Sequence, residues 1–231
     1  MTINVSTLTA KRSLITHLLP YSQVADQFRT LRNLVESAPG GRAKVIAVTS
    51  AEPQAGKTTT AVNLAIACAQ GGRAALLIDG SLRRPALQDI FSEPNHLGLS
   101  SVLQRAASLT EAIRDVGIPN LSVLTSGPPL AKYSDPLESE RMTELLAQAK
   151  ARFDIVIVDT PALLAATDAT TLAAKSDGIL WVVHGPSSKR ASELEAKKLV
   201  ERMSVKVIGC VLNDAKPARK RPGRRYAPSR G

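Results

Sequence analysis

Lys44-Val-Ile-Ala-Val-Thr-Ser-Ala-Glu-Pro-Gln-Ala-Gly-Lys-Thr-Thr-Thr60 is the stretch from which the rest of the chain can be ordered. Its first part, Lys44 to Thr49, is a short apolar run and reads as a buried strand. From Lys57 a helix runs to about Gln70, where Gly71-Gly72 provides a C-terminal stop. Between them, Ser50 to Gly56 forms a tight loop. Ala51-Glu-Pro-Gln-Ala-Gly-Lys-Thr-Thr59 has the spacing of a phosphate-binding P-loop, with Ala51 where glycine is commonest. A strand-to-helix loop of this kind turns backbone N–H groups inward, and the helix start adds partial positive charge. Gln54 and Ala55 belong to that cradle, and Gly56 lets the backbone approach an anion closely. Lys57 supplies a full charge to the β- and γ-phosphates of ATP, the Thr58 hydroxyl suits Mg²⁺, and Thr59 reaches the α-phosphate.

Two carboxylates stand where such a site needs them. Asp159 ends the apolar run Phe153-Asp-Ile-Val-Ile-Val-Asp159 and precedes Thr160-Pro161. At a strand end it can hold a water of the Mg²⁺ shell. Asp79 ends Ala74-Ala-Leu-Leu-Ile-Asp79 and reaches the γ-phosphate side of the metal. Residues 178–183 and 205–212 read as further strands, and 111–124 as a short helix followed by a strand. Residues 136–151, 167–174 and 188–203 read as helices. This alternation predicts an α/β fold: a three-layer P-loop domain with a mostly parallel sheet covered on both faces. Ligands are expected outside the carboxyl ends of the strands.

Upstream, residues 1 to about 20 read as irregular and Ser22 to Ser37 as a helix. Val24, Phe28, Leu31 and Val35 fall on one face of it, with Asp26, Arg29 and Arg32 pointing away. Pro39-Gly40-Gly41 breaks the chain. The expected organisation is an N-terminal arm over residues 1–40, a P-loop domain over 41–213 and a tail over 214–231.

The chain has 231 residues, enough to bury a core without staples. Its net charge is +10, and seven basic side chains lie between Ala215 and Gly231 with no acidic one. Without them 23 basic face 20 acidic residues, or +3, so the body is near neutral. Pro217, Pro222, Gly223 and Pro228 add to the expectation of a disordered tail. Such a tail is either a solubilising end or a site for an anionic partner, which could be a lipid surface, an acidic protein or nucleic acid, with nucleic acid expected least. Two cysteines, Cys68 and Cys210, exclude a disulfide scaffold and read as small core residues. His17, His96 and His184 have no ligand spacing, and Trp181, Met142 and Met203 read as packing residues. The longest apolar runs, such as Ile179 to Val183, are too short to span a bilayer, and MTINVSTLTAKRS lacks the apolar stretch of a signal peptide. A cytoplasmic location is expected.

Taken together, the motifs resemble those of the bacterial tyrosine kinases of capsule and exopolysaccharide synthesis, over roughly residues 20 to 213. AEPQAGKTT resembles the family's Walker A motif, LLIDGSLRRP its Walker A′ and FDIVIVDTPALL its Walker B. FSEPNHLGLSSVL, LTSGPP and DPLESERM resemble further family segments. Asp26-Gln-Phe-Arg29-Thr-Leu-Arg32 resembles a Glu-x-x-Arg-x-x-Arg helix of ring-like self-association. The resemblance implies ATP- and Mg²⁺-dependent phosphoryl transfer to tyrosine, on the chain itself and on other proteins. It implies Lys57, Asp79 and Asp159 as catalytic residues, with Asp79 as the base. Thr58, Asp79 and Asp159 would hold the metal, and Asn213, after the last strand, would contact the base edge of the nucleotide. Arg83 and Arg84 could face acidic or phosphate groups. A chain of this split type is completed by a membrane-embedded polysaccharide co-polymerase, which would hold it at the inner face of the plasma membrane.

Three positions depart from the pattern. Ser81 stands where Walker A′ carries a second Asp, which removes a charge from the site. The tail holds one tyrosine, Tyr226, in place of a cluster, and it is the autophosphorylation candidate. Asp26 shortens the first acid of the self-association helix by a methylene. Two other readings remain open: an ATP-binding regulator with little kinase activity that assembles with its membrane partner, and a positioning ATPase related to the Min and Par proteins. The latter carry an additional Lys near the start of the P-loop, where this chain has Glu52.

Overall fold

Three five-residue strands, β1 (Val45–Thr49), β2 (Ala75–Asp79) and β5 (Ile155–Asp159), are buried at every position. That burial is what their unbroken apolar composition requires. The computed structural model describes residues 13–37, 44–130 and 136–214. Within these, β3 (Arg114–Asp115), β4 (Leu121–Leu124), β6 (Gly178–His184) and β7 (Val207–Asn213) complete one sheet of order β3-β4-β2-β5-β1-β6-β7. Every pairing is parallel except β3 on β4.

Alternate strand residues feed two faces. Ile46, Val48, Leu77 and Ile157 pack against the Ala-rich α3 (Lys57–Gln70). On the other face Leu76, Ile78, Val156 and Val158 pack with Met142 and Leu145 of α7 (Glu140–Arg152), and with the short α5 (Leu99–Leu103) and α6 (Leu109–Ala112). Ala47, Ile179 and Trp181 join α8 (Thr167–Ala174) and α9 (Arg190–Arg202). A further short helix, α4 (Leu87–Phe91), follows β2. These are the three expected layers. α7 begins four residues after the expected start, because Pro136 to Ser139 form a turn before it.

The arm departs from its reading in two ways. Residues 15–18, read as irregular, form a one-turn helix, α1 (Ile15–Leu18). Four residues are too few to show a period, and the turn is held from outside: Asn63 of α3 accepts from Thr16 N at 2.9 Å and donates to Ser13 O at 2.7 Å. In α2 (Gln23–Glu36), capped by the Ser22 hydroxyl, the buried residues are Ala25 and Val35, while Val24 and Leu34 are exposed. Arg32, read as pointing away, turns inward and donates to Ala67 O of α3 at 3.2 Å; Arg29 donates to Pro20 O at 2.8 Å. The apolar stripe is split between α3 and a groove of about 690 Å³ beside β7, lined by Val24, Leu31, Leu34 and Leu212. Cys68 is buried as read, but Cys210 is exposed, because among the described residues β7 is the last strand of the sheet and pairs on one side with β6.

Candidate functional site

Sheet order brings the motifs together. β5 lies between β1 and β2, so the P-loop, Asp159 and Asp79 leave three adjacent strands at the same rim. Asp159 is in register with Val48 on one side and with Asp79 on the other.

The P-loop is braced from several directions. Ser50 O and Ala51 O accept from Leu163 N and Leu164 N at 2.9 and 3.2 Å. Glu52 Oε1 accepts from the Ser192 hydroxyl at 3.0 Å and lies 3.6 Å from Lys189 Nζ, which fastens the loop to α9. Gln54 and Gly56 have left-handed backbones, with φ of 63° and 92°. Gly56 O accepts from Thr60 N and Oγ1, both at 2.9 Å, which starts α3. Thr59 O accepts from Asn63. Asn213 Nδ2 donates to Ala55 O at 3.0 Å, and a Cβ on Gly56 would lie 2.0 Å from that nitrogen.

Lys57 is the first residue of α3. Burial lowers its ammonium pKa, while the Asp159 carboxylate works against that fall. Asp159 is 1% exposed, and its Oδ1 has no hydrogen-bond partner. Burial, helped by the neighbouring Asp79 charge, pushes the Asp159 carboxyl up to about 7; the Thr58 hydroxyl and the Lys57 ammonium pull the other way. A buried carboxylate oxygen without a donor, beside a lysine, a threonine hydroxyl and a helix start, is suited to a hard cation and an anionic ligand. Among the described residues no group of three His, Cys, Asp or Glu could hold a metal by itself. The open Asp159 oxygen beside the P-loop fits Mg²⁺, which takes one or two carboxylates and completes its shell with water and phosphate.

Asp79 is placed differently from a free base. Its Oδ1 accepts from Ser81 N at 3.0 Å, and its Oδ2 from Ala86 N and Leu87 N at 2.9 and 3.0 Å. Burial raises its pKa against these three donors. The carboxylate thus closes the loop of residues 80–87. Arg83, on that loop, is 3.5 Å from Asp168 at the start of α8. Beside it opens a cavity of about 330 Å³ lined by Leu82, Arg83, Pro85, Gly127, Pro129 and Asp168.

The structure therefore gathers Lys57, Thr58, Asp79, Asp159, Ala55, Gly56 and Asn213 at one rim, with Gln54 and Thr59 at its edge. Asp26, Arg29 and Arg32 lie apart, on α2. Tyr226 lies outside the described residues. Sequence reasoning missed Lys189, Ser192 and Asp168, whose role rests on contacts to residues more than 80 positions away and leaves no local pattern.

The comparisons agree with this geometry. The AAA-domain family model matches residues 43–191. The tyrosine-protein kinase YwqD of Bacillus subtilis (strain 168) is 37% identical over 207 residues, which cover 89% of this chain and 87% of that one. The tyrosine-protein kinase CpsD of Streptococcus pneumoniae serotype 4 (strain ATCC BAA-334 / TIGR4) is 34% identical over 176 residues, covering 75% and 77%. The kinase domain of the Escherichia coli tyrosine kinase ETK superposes with a TM-score of 0.83 at 28% identity, over 94% of this chain and 84% of that one. Identity at this level across most of both partners, on a shared fold, means that this chain belongs to the bacterial tyrosine-protein kinase family.

Proposed function

We propose that the chain is an ATP-dependent protein-tyrosine kinase that acts on itself and on other chains and regulates capsule or exopolysaccharide assembly or export. The observation that carries this reading is the unpartnered Asp159 Oδ1 among Lys57, Thr58 and the P-loop. Thr58 and Asp159 would hold Mg²⁺, with the buried Asp79 adding its charge from behind. The metal, when bound, supplies neutralisation of phosphate charge. Gln54 to Thr59 would bind the phosphates, Lys57 would stabilise charge on the transferred group, and the cavity beside Arg83 would admit the acceptor side chain. Asn213 would stand near the nucleotide base.

Around that core, residues 1–40 would form a self-association arm through Asp26, Arg29 and Arg32. Residues 41–213 would form the kinase domain and 214–231 a basic tail that carries Tyr226. No helix among the described residues is long and apolar enough to cross a membrane. Attachment to the inner face of the membrane would come from a membrane-embedded co-polymerase and from the tail's attraction to anionic lipid.

Incubating the purified chain with radiolabelled ATP and Mg²⁺ tests the reading. Phosphotyrosine should form and should be lost in Lys57→Met. ATP binding without phosphotyrosine would leave the second reading, an ATP-binding regulator. One observation favours that reading: Asp79 is occupied by backbone donors and Ser81 offers no second carboxylate. A positioning ATPase is less well supported, because Glu52, paired with Lys189, occupies the place of the extra lysine.

A further inference from the structure

The peptide between Ala55 and Gly56 is a link of the phosphate cradle at which the backbone could turn over. Its C-terminal residue is a glycine at φ 92°, and glycine crosses between backbone regions at little cost. In a trans peptide the C=O and the following N–H point opposite ways. The side to which Ala55 O turns therefore decides the side to which Gly56 N–H turns. If the peptide flips, the cradle loses a donor and gains a carbonyl dipole that repels phosphate.

One side chain holds that carbonyl. Asn213 Nδ2 donates to Ala55 O at 3.0 Å. Asn213 is itself fixed: its backbone O accepts from Gly185 N at 2.9 Å, its Oδ1 accepts from Asp214 N at 3.1 Å, and it is in register with His184 of β6. Its amide lies so close to Gly56 that a Cβ there would collide with it. Both polar atoms of the Asn213 amide are thus engaged within the protein.

We infer that Asn213 is a positioning residue for the phosphates: it fixes the Ala55–Gly56 peptide so that the Gly56 N–H faces the bend of the P-loop. This rests on the nucleotide-binding reading above and gives Asn213 a role other than contact with the base. A role in the cradle must be felt by any polyphosphate, with or without a base. Losing the strap lets the flipped peptide compete, and apparent affinity falls with the fraction of competent loop.

Calorimetry with Mg·ATP and with inorganic tripolyphosphate plus Mg²⁺ separates the possibilities. It would be run on the full chain, on Asn213→Ala, and on Asn213→Leu, which keeps the side-chain shape without the donor. Circular dichroism first establishes that each variant is folded at the working temperature, so that a loss of fold is not read as a loss of affinity. The expected result is about a tenfold weakening of both ligands, equal within error, in each folded variant. Weakening confined to ATP would assign Asn213 to the base and overturn the inference, and so would unchanged affinity for both ligands. A parent chain that binds neither ligand would instead sink the nucleotide reading itself.

Discussion

At the residue scale the cost of the site is concentrated in Asp159. A carboxylate with one oxygen left without a donor, buried beside a second carboxylate, favours its protonated form. The folded state therefore binds this proton more tightly than the unfolded chain, in which the group titrates near 3.8. The stability that this group contributes falls as pH rises from about 4 to about 7, and the loss is complete above the folded pKa. In metal-free buffer, Asp159→Asn should be more stable than the parent at pH 8, by about 2 kcal/mol, and equal to it near pH 4. Urea titrations at the two pH values measure this; the same difference at both would remove the explanation. The same variant should bind Mg·ATP more weakly. Stability surrendered in the empty protein is thus available to a bound cation.

At the element scale one side chain anchors the start of β1, whose length is paired with β5 and β6. Asp177, in the turn before β6, accepts from Lys44 N and Val45 N at 2.9 and 2.8 Å, and from Lys150 Nζ of α7 at 2.6 Å. Partial burial pushes its pKa up, but Lys150 and the two backbone donors outweigh it, and the net shift is down. A depressed carboxyl stabilises above its unfolded pKa and loses that contribution as pH falls through the folded one. Asp177→Ala should cost about 1–2 kcal/mol at pH 7, and the gap should narrow below pH 4. Thermal melts at both pH values measure it; a gap that stays constant with pH would count against the carboxylate.

Elements of this size also show what a sequence can and cannot reveal. β1, β2, β5, α3 and α8 were legible because their burial pattern is written in contiguous residues. The P-loop was legible because its spacing is local. The face of α2 was not, since it meets α3 and a groove at once, and neither was the engagement of Asp79, which depends on how residues 80–87 curl back. The exposure of Cys210 follows from β7 being the last strand in the sheet, a fact about order that its own apolar neighbours do not carry.

At the scale of the whole molecule, charge is divided between a nearly neutral body and a basic tail. A chain lacking residues 215–231 should lose salt-sensitive sedimentation with phosphatidylserine vesicles and keep its affinity for Mg·ATP. Equal sedimentation of the two chains at low salt would place the membrane contact elsewhere. The molecule also carries its own optical label. Its single indole, Trp181, is in register with Thr49 at the entrance to the P-loop and is tethered by Nε1 to Glu193 on the helix that grips Glu52. Any tightening of that loop should register in its emission, so occupancy can be followed in an unmodified chain without dye or radioisotope.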